Sequence, residues 1–197
     1  MSDFVLASAS PRRKELMRLI AEDFRVVVSD ADESAIDKAA LPPSIYVQEL
    51  ALLKASASAK KVLKDKKAII IGADTIVVSN GEIMGKPADD GGAFDMLRAL
   101  SGKTHEVYTG FCIMRVRDAY TVCDCVKTEV TFRDLSDEKI RAYIKTGEPR
   151  DKAGAYGIQG KGSMLIKKIS GDYFNVVGFP ISEIAAVLEK DFNIDTI

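Results

Sequence analysis

The sequence predicts an α/β domain built on a mixed sheet. Strand-sized and helix-sized segments alternate unevenly, and hairpin signals interrupt the alternation, which a purely parallel sheet does not allow. Nearly half of the 197 residues are hydrophobic, enough for a sizeable core. One domain over residues 1–197, divided at most into two lobes, accounts for that length.

Phe4–Ala7 reads as a short buried strand, broken at Ser8. Ser10 and Pro11 are an N-cap and first helical residue, and Leu16, Leu19 and Ile20 give that helix an apolar face through Ala21. Phe24–Val28 is β-branched and predicts a second strand. Residues 29–43 are acidic and irregular, a surface loop. Ser44–Leu63 is a long helix on which Val47, Leu50, Ala51, Ala55 and Ser58 follow helical spacing, with Lys54 near the apolar side.

Ala68–Val78 predicts a strand interrupted at Gly72-Ala73-Asp74-Thr75. Asn80-Gly81 is a strong hairpin turn, and the short return strand ends at Gly85-Lys86-Pro87. Gly92–Leu100 is helical and Gly102 stops it. His105–Val116 and Tyr120–Phe132 are two long strands joined by a polar turn. A helix follows, capped by Ser136 with Asp137 and Glu138 in its first turn. Residues 147–162 form a glycine-rich loop. Ser163–Ile169 and Tyr173–Val177 predict a last hairpin across Gly171-Asp172, and Pro180–Glu189 a closing helix.

Composition excludes several function classes. The net charge is −1, so no global positive field recruits nucleic acid. The longest apolar runs are strand-sized, so nothing is expected to span a membrane. No basic leader precedes a long apolar stretch. The three cysteines, Cys112, Cys123 and Cys125, argue against a secreted disulfide framework. The expectation is a soluble cytoplasmic protein. Cys123 and Cys125 share one strand face, and core packing suits them better than a metal site lacking further ligands. His105 reads as structural.

A few residues stand out chemically. Ser8-Ala9-Ser10-Pro11-Arg12-Arg13 joins a strand to a helix. Backbone N–H groups at a helix start favour anions, two hydroxyls add donors, and arginine forks suit phosphate oxygens. An ordinary N-cap with solvated arginines is the plainer alternative. Asp74 interrupts an apolar run, and a carboxylate there needs a cation or hydrogen bonds, unless it only ends the strand. Glu33 lies in the acidic cluster Asp30-Ala31-Asp32-Glu33, either a solvated loop or a source of hard oxygen ligands. Lys54 and Lys86 are positive charges that could meet phosphates, Lys86 held between Gly85 and Pro87. Gln159, in Gly154-Ala155-Tyr156-Gly157-Ile158-Gln159-Gly160, could read a base edge through its amide or belong to a flexible loop. The glycine spacing is not that of a P-loop.

Together these segments resemble the Maf family of nucleotide pyrophosphatases. Leu6–Leu16 looks like the family's opening signature, Asp32-Glu33 its acidic position, and Leu50–Ala55 its lysine helix. Gly72-Ala73-Asp74-Thr75, Gly85-Lys86-Pro87, Ser101–Val107, Thr109-Gly110, the stretch 147–160 and Asn175–Pro180 continue the match in order. The resemblance implies an elongated two-lobed α/β fold with a deep central cleft, similar to inosine triphosphate pyrophosphatases. It implies that Ser8, Ser10, Arg12 and Arg13 hold a triphosphate. Glu33, Lys54, Asp74 and Lys86 would form the reacting centre, with Asp74 and Glu33 as ligands of magnesium or manganese. Thr75 and Gln159 point to the subgroup acting on dTTP and UTP. A homodimer is implied too. Two alternatives stand beside this reading: a pyrophosphatase for modified purine nucleotides, and a nucleotide-binding regulator of cell division without turnover.

Overall fold

The computed structural model describes residues 3–197; Met1 and Ser2, part of the stretch read for a leader, lie outside the described residues. The elements are β1 (Asp3–Leu6), α1 (Pro11–Met17), β2 (Phe24–Val26), α2 (Pro43–Lys61), β3 (Ala68–Ser79), β4 (Glu82–Met84), α3 (Asp90–Leu100), β5 (Thr104–Arg115), β6 (Tyr120–Phe132), α4 (Asp137–Ile144), β7 (Ile166–Ser170), α5 (Tyr173–Val177) and α6 (Ile181–Phe192). The strands hydrogen-bond in the order β2-β1-β3-β5-β6-β7, with β4 also on β3. β1 runs parallel to β2 and β3, whereas β3–β4 and β6–β7 are antiparallel. The sheet is therefore mixed, as the uneven alternation of elements predicts. No helix among the described residues is long and apolar enough to cross a membrane.

The chain divides into two compact units. The first runs to Asp74 and takes in Thr109–Val126 and Gly178–Ile197; the second is Thr75–Tyr108 with Lys127–Val177. In the first unit, the small buried face of α2 (Ala51, Ala55, Ala59) packs with Val5, Ala7, Ile70 and Cys112. Alanines on the helix and glycines on the strands bring α2 close. A Cβ on Gly72 would lie 2.5 Å from the Ala51 carbonyl oxygen, and one on Gly110 2.4 Å from that of Val47. Cys112 and Cys123, on neighbouring strands with Cα atoms 4.1 Å apart, form a disulfide, and Cys125 stays a thiol. Core packing alone was the expectation for Cys123; sequence separation did not reveal that β5 and β6 pair these two positions.

The second unit has its own core of Leu97, Leu100, Val107, Phe132, Ile140 and Tyr156, among others. His105 lies inside it, edge-on to Phe132 and Tyr156, with Nε2 2.7 Å from the Tyr156 hydroxyl. Nδ1 has no hydrogen-bond partner among the described residues. Burial lowers the imidazole from 6.5 to about 4, because a protonated ring would strand a charge in the core. Between those values the unfolded chain binds the extra proton and the folded chain does not. Unfolding free energy should therefore fall by ~1.4 kcal/mol for each pH unit lost below 6.5, levelling off below 4. Denaturant melts of wild type and His105→Gln across that range check this; equal slopes for the two would refute it.

Four departures from the sequence reading have local causes. α1 ends at Met17, and Leu19 is exposed, so the apolar face is Leu16 and Met17. β3 is unbroken through Gly72–Thr75, because Gly72 accommodates α2 rather than making a turn. The acidic segment is irregular as expected, apart from a 3-10 turn at Glu33–Ala35, but α2 already begins at Pro43. Tyr173–Val177 is helical, so the last hairpin does not form; β7 pairs with β6 instead. Asp172 accepts from the Phe174 N–H, and the Asn175 amide donates to Val107 O and Thr128 Oγ1. These side-chain bonds favour a turn of helix over a strand.

Candidate active site

The first unit assembles most of the residues singled out. β1 and β3 run parallel, with Leu6 beside Ile71, and the Ala7 N–H continues the ladder to Ile71 O. Ser8 follows the carboxyl end of β1, where open α/β sheets bind ligands, and Asp74 lies mid-way along β3, just past the segment Ala68–Ile71 that pairs with β1. Ser8 Oγ accepts from the Ser10 N–H at 3.2 Å, and Ser10 Oγ caps α1 by accepting from the Arg13 N–H at 3.5 Å. Pro11 is N1, as predicted.

Arg13 reaches across this loop. Its Nε donates to Gly178 O and Nη1 to Ala73 O, both at 2.8 Å, with Nη1 also 3.3 Å from Ser8 Oγ. Burial lowers its pKa, with Asp74 and Glu33 opposing that shift. Arg13 therefore ties the loop after β1 to the backbone immediately before Asp74. Arg12, in the first turn of α1, is partly exposed.

Lys54 is the hub. Its Nζ pairs with Asp74 Oδ1 and lies 3.0 Å from Glu33 Oε1. Lys54 and Asp74 are mostly shielded, with side chains 14% and 16% exposed, whereas Glu33 is 53% exposed. Gly72 and Asp74 project from the same face of β3, since strand side chains repeat every second residue. That is the face covered by α2, so helix docking carries Lys54 to Asp74. Glu33 arrives on the 3-10 turn capped by Asp32, whose Oδ1 accepts from Ser34 N. Tyr46, two turns before Lys54 on α2, was not singled out from the sequence. Burial raises its hydroxyl, helped by the charges of Asp74 and Glu33, so a neutral phenol stands near both acids.

Thr75, Lys86 and Gln159 belong to the second unit. Lys86 is exposed after β4. Gly85 has open space around its Cβ position, so crowding does not fix Lys86; the Gly154 N–H bonded to Gly85 O at 3.0 Å holds the backbone there. Gln159 stands at the N-cap of the 3-10 segment Gly160–Leu165, partly buried. Among the described residues no group of three or more His, Cys, Asp and Glu side chains converges.

Comparison with known proteins bears on this constellation. The model of the family described as Maf-like protein matches residues 3–191. The chain belongs to the Maf family. A dTTP/UTP pyrophosphatase of Alkaliphilus metalliredigens is 50% identical over 195 residues, covering 99% of both chains. Another from Clostridium novyi is 49% identical over 180 residues, covering 91% of this chain and 93% of its own. Among solved structures, the Staphylococcus aureus Ham1 protein aligns with a TM-score of 0.52 at 15% identity, over 98% of this chain and 91% of that one. At that identity the likeness is one of fold, and it agrees with the mixed α/β architecture expected for a Maf chain.

Proposed function

We propose that this Maf-family chain hydrolyses dTTP and UTP to the nucleoside monophosphate and pyrophosphate. The observation that carries the reading is the convergence of Lys54, Asp74 and Glu33 beside the Ser8–Arg13 loop, in a chain about half identical to relatives named dTTP/UTP pyrophosphatase. A protein that only binds phosphates gains nothing from two carboxylates beside the anion. A water-activating site does.

In this reading water attacks the α-phosphorus, the bond to the bridging oxygen of the β-phosphate breaks, and pyrophosphate leaves with that electron pair. Asp74 takes the proton from the water. It is the better base of the two acids: strand-borne and shielded, it is held by Lys54 through Oδ1, which leaves Oδ2 to orient the water. Glu33, more exposed and on a short turn, can adjust as the substrate arrives. Ser8, Ser10 and Arg12 bind phosphate oxygens, and the family likeness gives Lys86 the same role. Arg13 commits two of its donors to backbone carbonyls, so it steadies the loop while adding positive charge. Thr75 and Gln159 read the base. Positioning and electrostatics, rather than covalent chemistry, lower the barrier in such a transfer.

The family likeness also implies magnesium or manganese, and the donors suit it. Glu33 and Asp74 offer hard oxygens, and magnesium is commonly held by one or two carboxylates plus substrate phosphates. When bound, such an ion supplies charge neutralisation at the phosphoryl oxygens. A cytoplasmic homodimer completes the reading, supported by the family likeness.

Pyrophosphate release from a panel of nucleoside triphosphates, with magnesium, manganese or chelator, tests it. Metal-dependent turnover led by dTTP or UTP is expected. Turnover led by a purine nucleotide would keep the reaction and overturn the base assignment. Nucleotide binding without turnover would favour a regulator of cell division.

A further inference from the structure

The glycine-rich stretch of the second unit is clamped, not loose, and the clamp is a residue with no part in the chemistry above. Glu148 follows α4 and turns its carboxylate onto the loop 157–162. Oε1 accepts from the Lys161 N–H at 3.0 Å and Oε2 from the Gly162 N–H at 3.1 Å. The Tyr143 hydroxyl accepts from the Gly157 N–H at 3.3 Å and helps keep the Glu148 carboxyl charged. Lys152 Nζ donates to Glu148 O at 2.6 Å, fixing the residue's own backbone.

The loop is built for this contact. A Cβ on Gly160 would lie 2.8 Å from Glu148 Oε1, and one on Gly162 would lie 2.1 Å from Gly157 O and 2.7 Å from the Tyr143 hydroxyl. Gly160 also adopts φ +64°, a left-handed conformation that suits glycine. Partial burial raises the Glu148 carboxyl, but the two backbone N–H groups and Tyr143 outweigh it, and it titrates below the usual glutamate range. A carboxylate receiving charge-assisted bonds from consecutive N–H groups is a strong anchor. Gln159 sits between Gly157, held by the Tyr143 hydroxyl, and Lys161 and Gly162, held by Glu148.

We propose that Glu148 is the positioning residue for base selectivity: by pinning the loop immediately after Gln159, at Lys161 and Gly162, it holds the Gln159 amide in the orientation that reads the nucleobase. This rests on the reading of Gln159 as the base-contacting residue. An amide discriminates between bases only if its donor and acceptor are fixed. An unpinned loop would let Gln159 turn and accept any base edge.

The test is the ratio of kcat/KM for UTP to that for GTP in wild type, Glu148→Gln, Gln159→Ala and the double variant, with Tm for each. The isosteric glutamine turns an NH2 toward one of the loop's N–H groups, so the clamp fails without a change of volume. Both single variants are expected to shrink the ratio roughly 10-fold to 10²-fold, as misplacement of about 1 Å does. The double variant should then be no worse than Gln159→Ala alone. A collapsed ratio in Gln159→Ala with an unchanged ratio in Glu148→Gln would leave Glu148 merely structural and overturn the proposal. An unchanged ratio in Gln159→Ala would overturn the base reading itself, and the proposal with it. If Glu148→Gln fails to fold, Glu148→Asp, whose shorter side chain cannot reach both the Lys161 and Gly162 N–H groups, carries the same comparison.

Discussion

Asp74→Asn is expected to lower kcat for dTTP and UTP by ~10²–10⁴-fold, the usual contribution of a positioned general base, with the fold intact. The substitution keeps the shape and an acceptor oxygen toward Lys54. It removes the charge and the capacity to take a proton. Breaking a shielded ion pair commonly costs about 3–5 kcal/mol because the surviving charge is stranded. Here Lys54 still has Glu33 at 3.0 Å, so the loss of stability should be smaller and Tm nearly kept. Pyrophosphate release and a thermal melt on the same preparation separate the two effects. Turnover within a few-fold of wild type would remove Asp74 from the mechanism. The same measurement on Glu33→Gln decides between the two acids: a deeper loss there than in Asp74→Asn would reverse the roles given to them.

Much of the fold was legible because local chemistry and tertiary structure agree. Ser10-Pro11 begins α1 where a cap and a fixed φ favour it, and Asn80-Gly81 turns β3 into β4 with both residues at positive φ. The misreadings fall where tertiary contacts decide. Tyr173–Val177 has strand-forming residues, yet the buried Asn175 amide finds Val107 O and Thr128 Oγ1 only from a helical turn. Gly72 looked like an interruption because a glycine in a strand signals either a bend or a close neighbour, and sequence alone does not say which. By their own chemistry Lys54, Asp74 and Glu33 stand out one at a time, and only the family resemblance groups them in one centre. That they meet on one ammonium follows from α2 docking on β3, a non-local event. The role of Glu148 is not legible in the sequence for a related reason. A glutamate in a charged, glycine-rich stretch reads as a solvated residue until the two N–H groups it caps are seen.

The seat of α2 gives the second large effect. Gly72→Ala should destabilise the protein by at least ~2–3 kcal/mol, toward the upper end for overpacking, which lowers Tm by roughly 5–10 °C in a chain of this size. The added Cβ would meet main-chain atoms, the Ala51 oxygen at 2.5 Å and the Ala55 nitrogen at 2.9 Å, and a helix backbone cannot rotate aside as a side chain can. Those two residues flank the turn that carries Lys54. The wedge therefore opens beside the Lys54–Asp74 pair, and turnover should fall more than the loss of folded protein explains, even at temperatures where the variant is fully folded. Gly110→Ala strikes the same helix at Val47 and Gln48, nearly two turns before Lys54, so it should cost comparable stability with a smaller loss of kcat per folded molecule. Gly85→Ala, with open space around the new methyl, should leave Tm unchanged. Equal kcat losses in Gly72→Ala and Gly110→Ala would mean that α2 moves as a rigid whole. A Gly72→Ala protein with wild-type kcat would mean that the Lys54–Asp74 pairing does not depend on how closely the helix is seated.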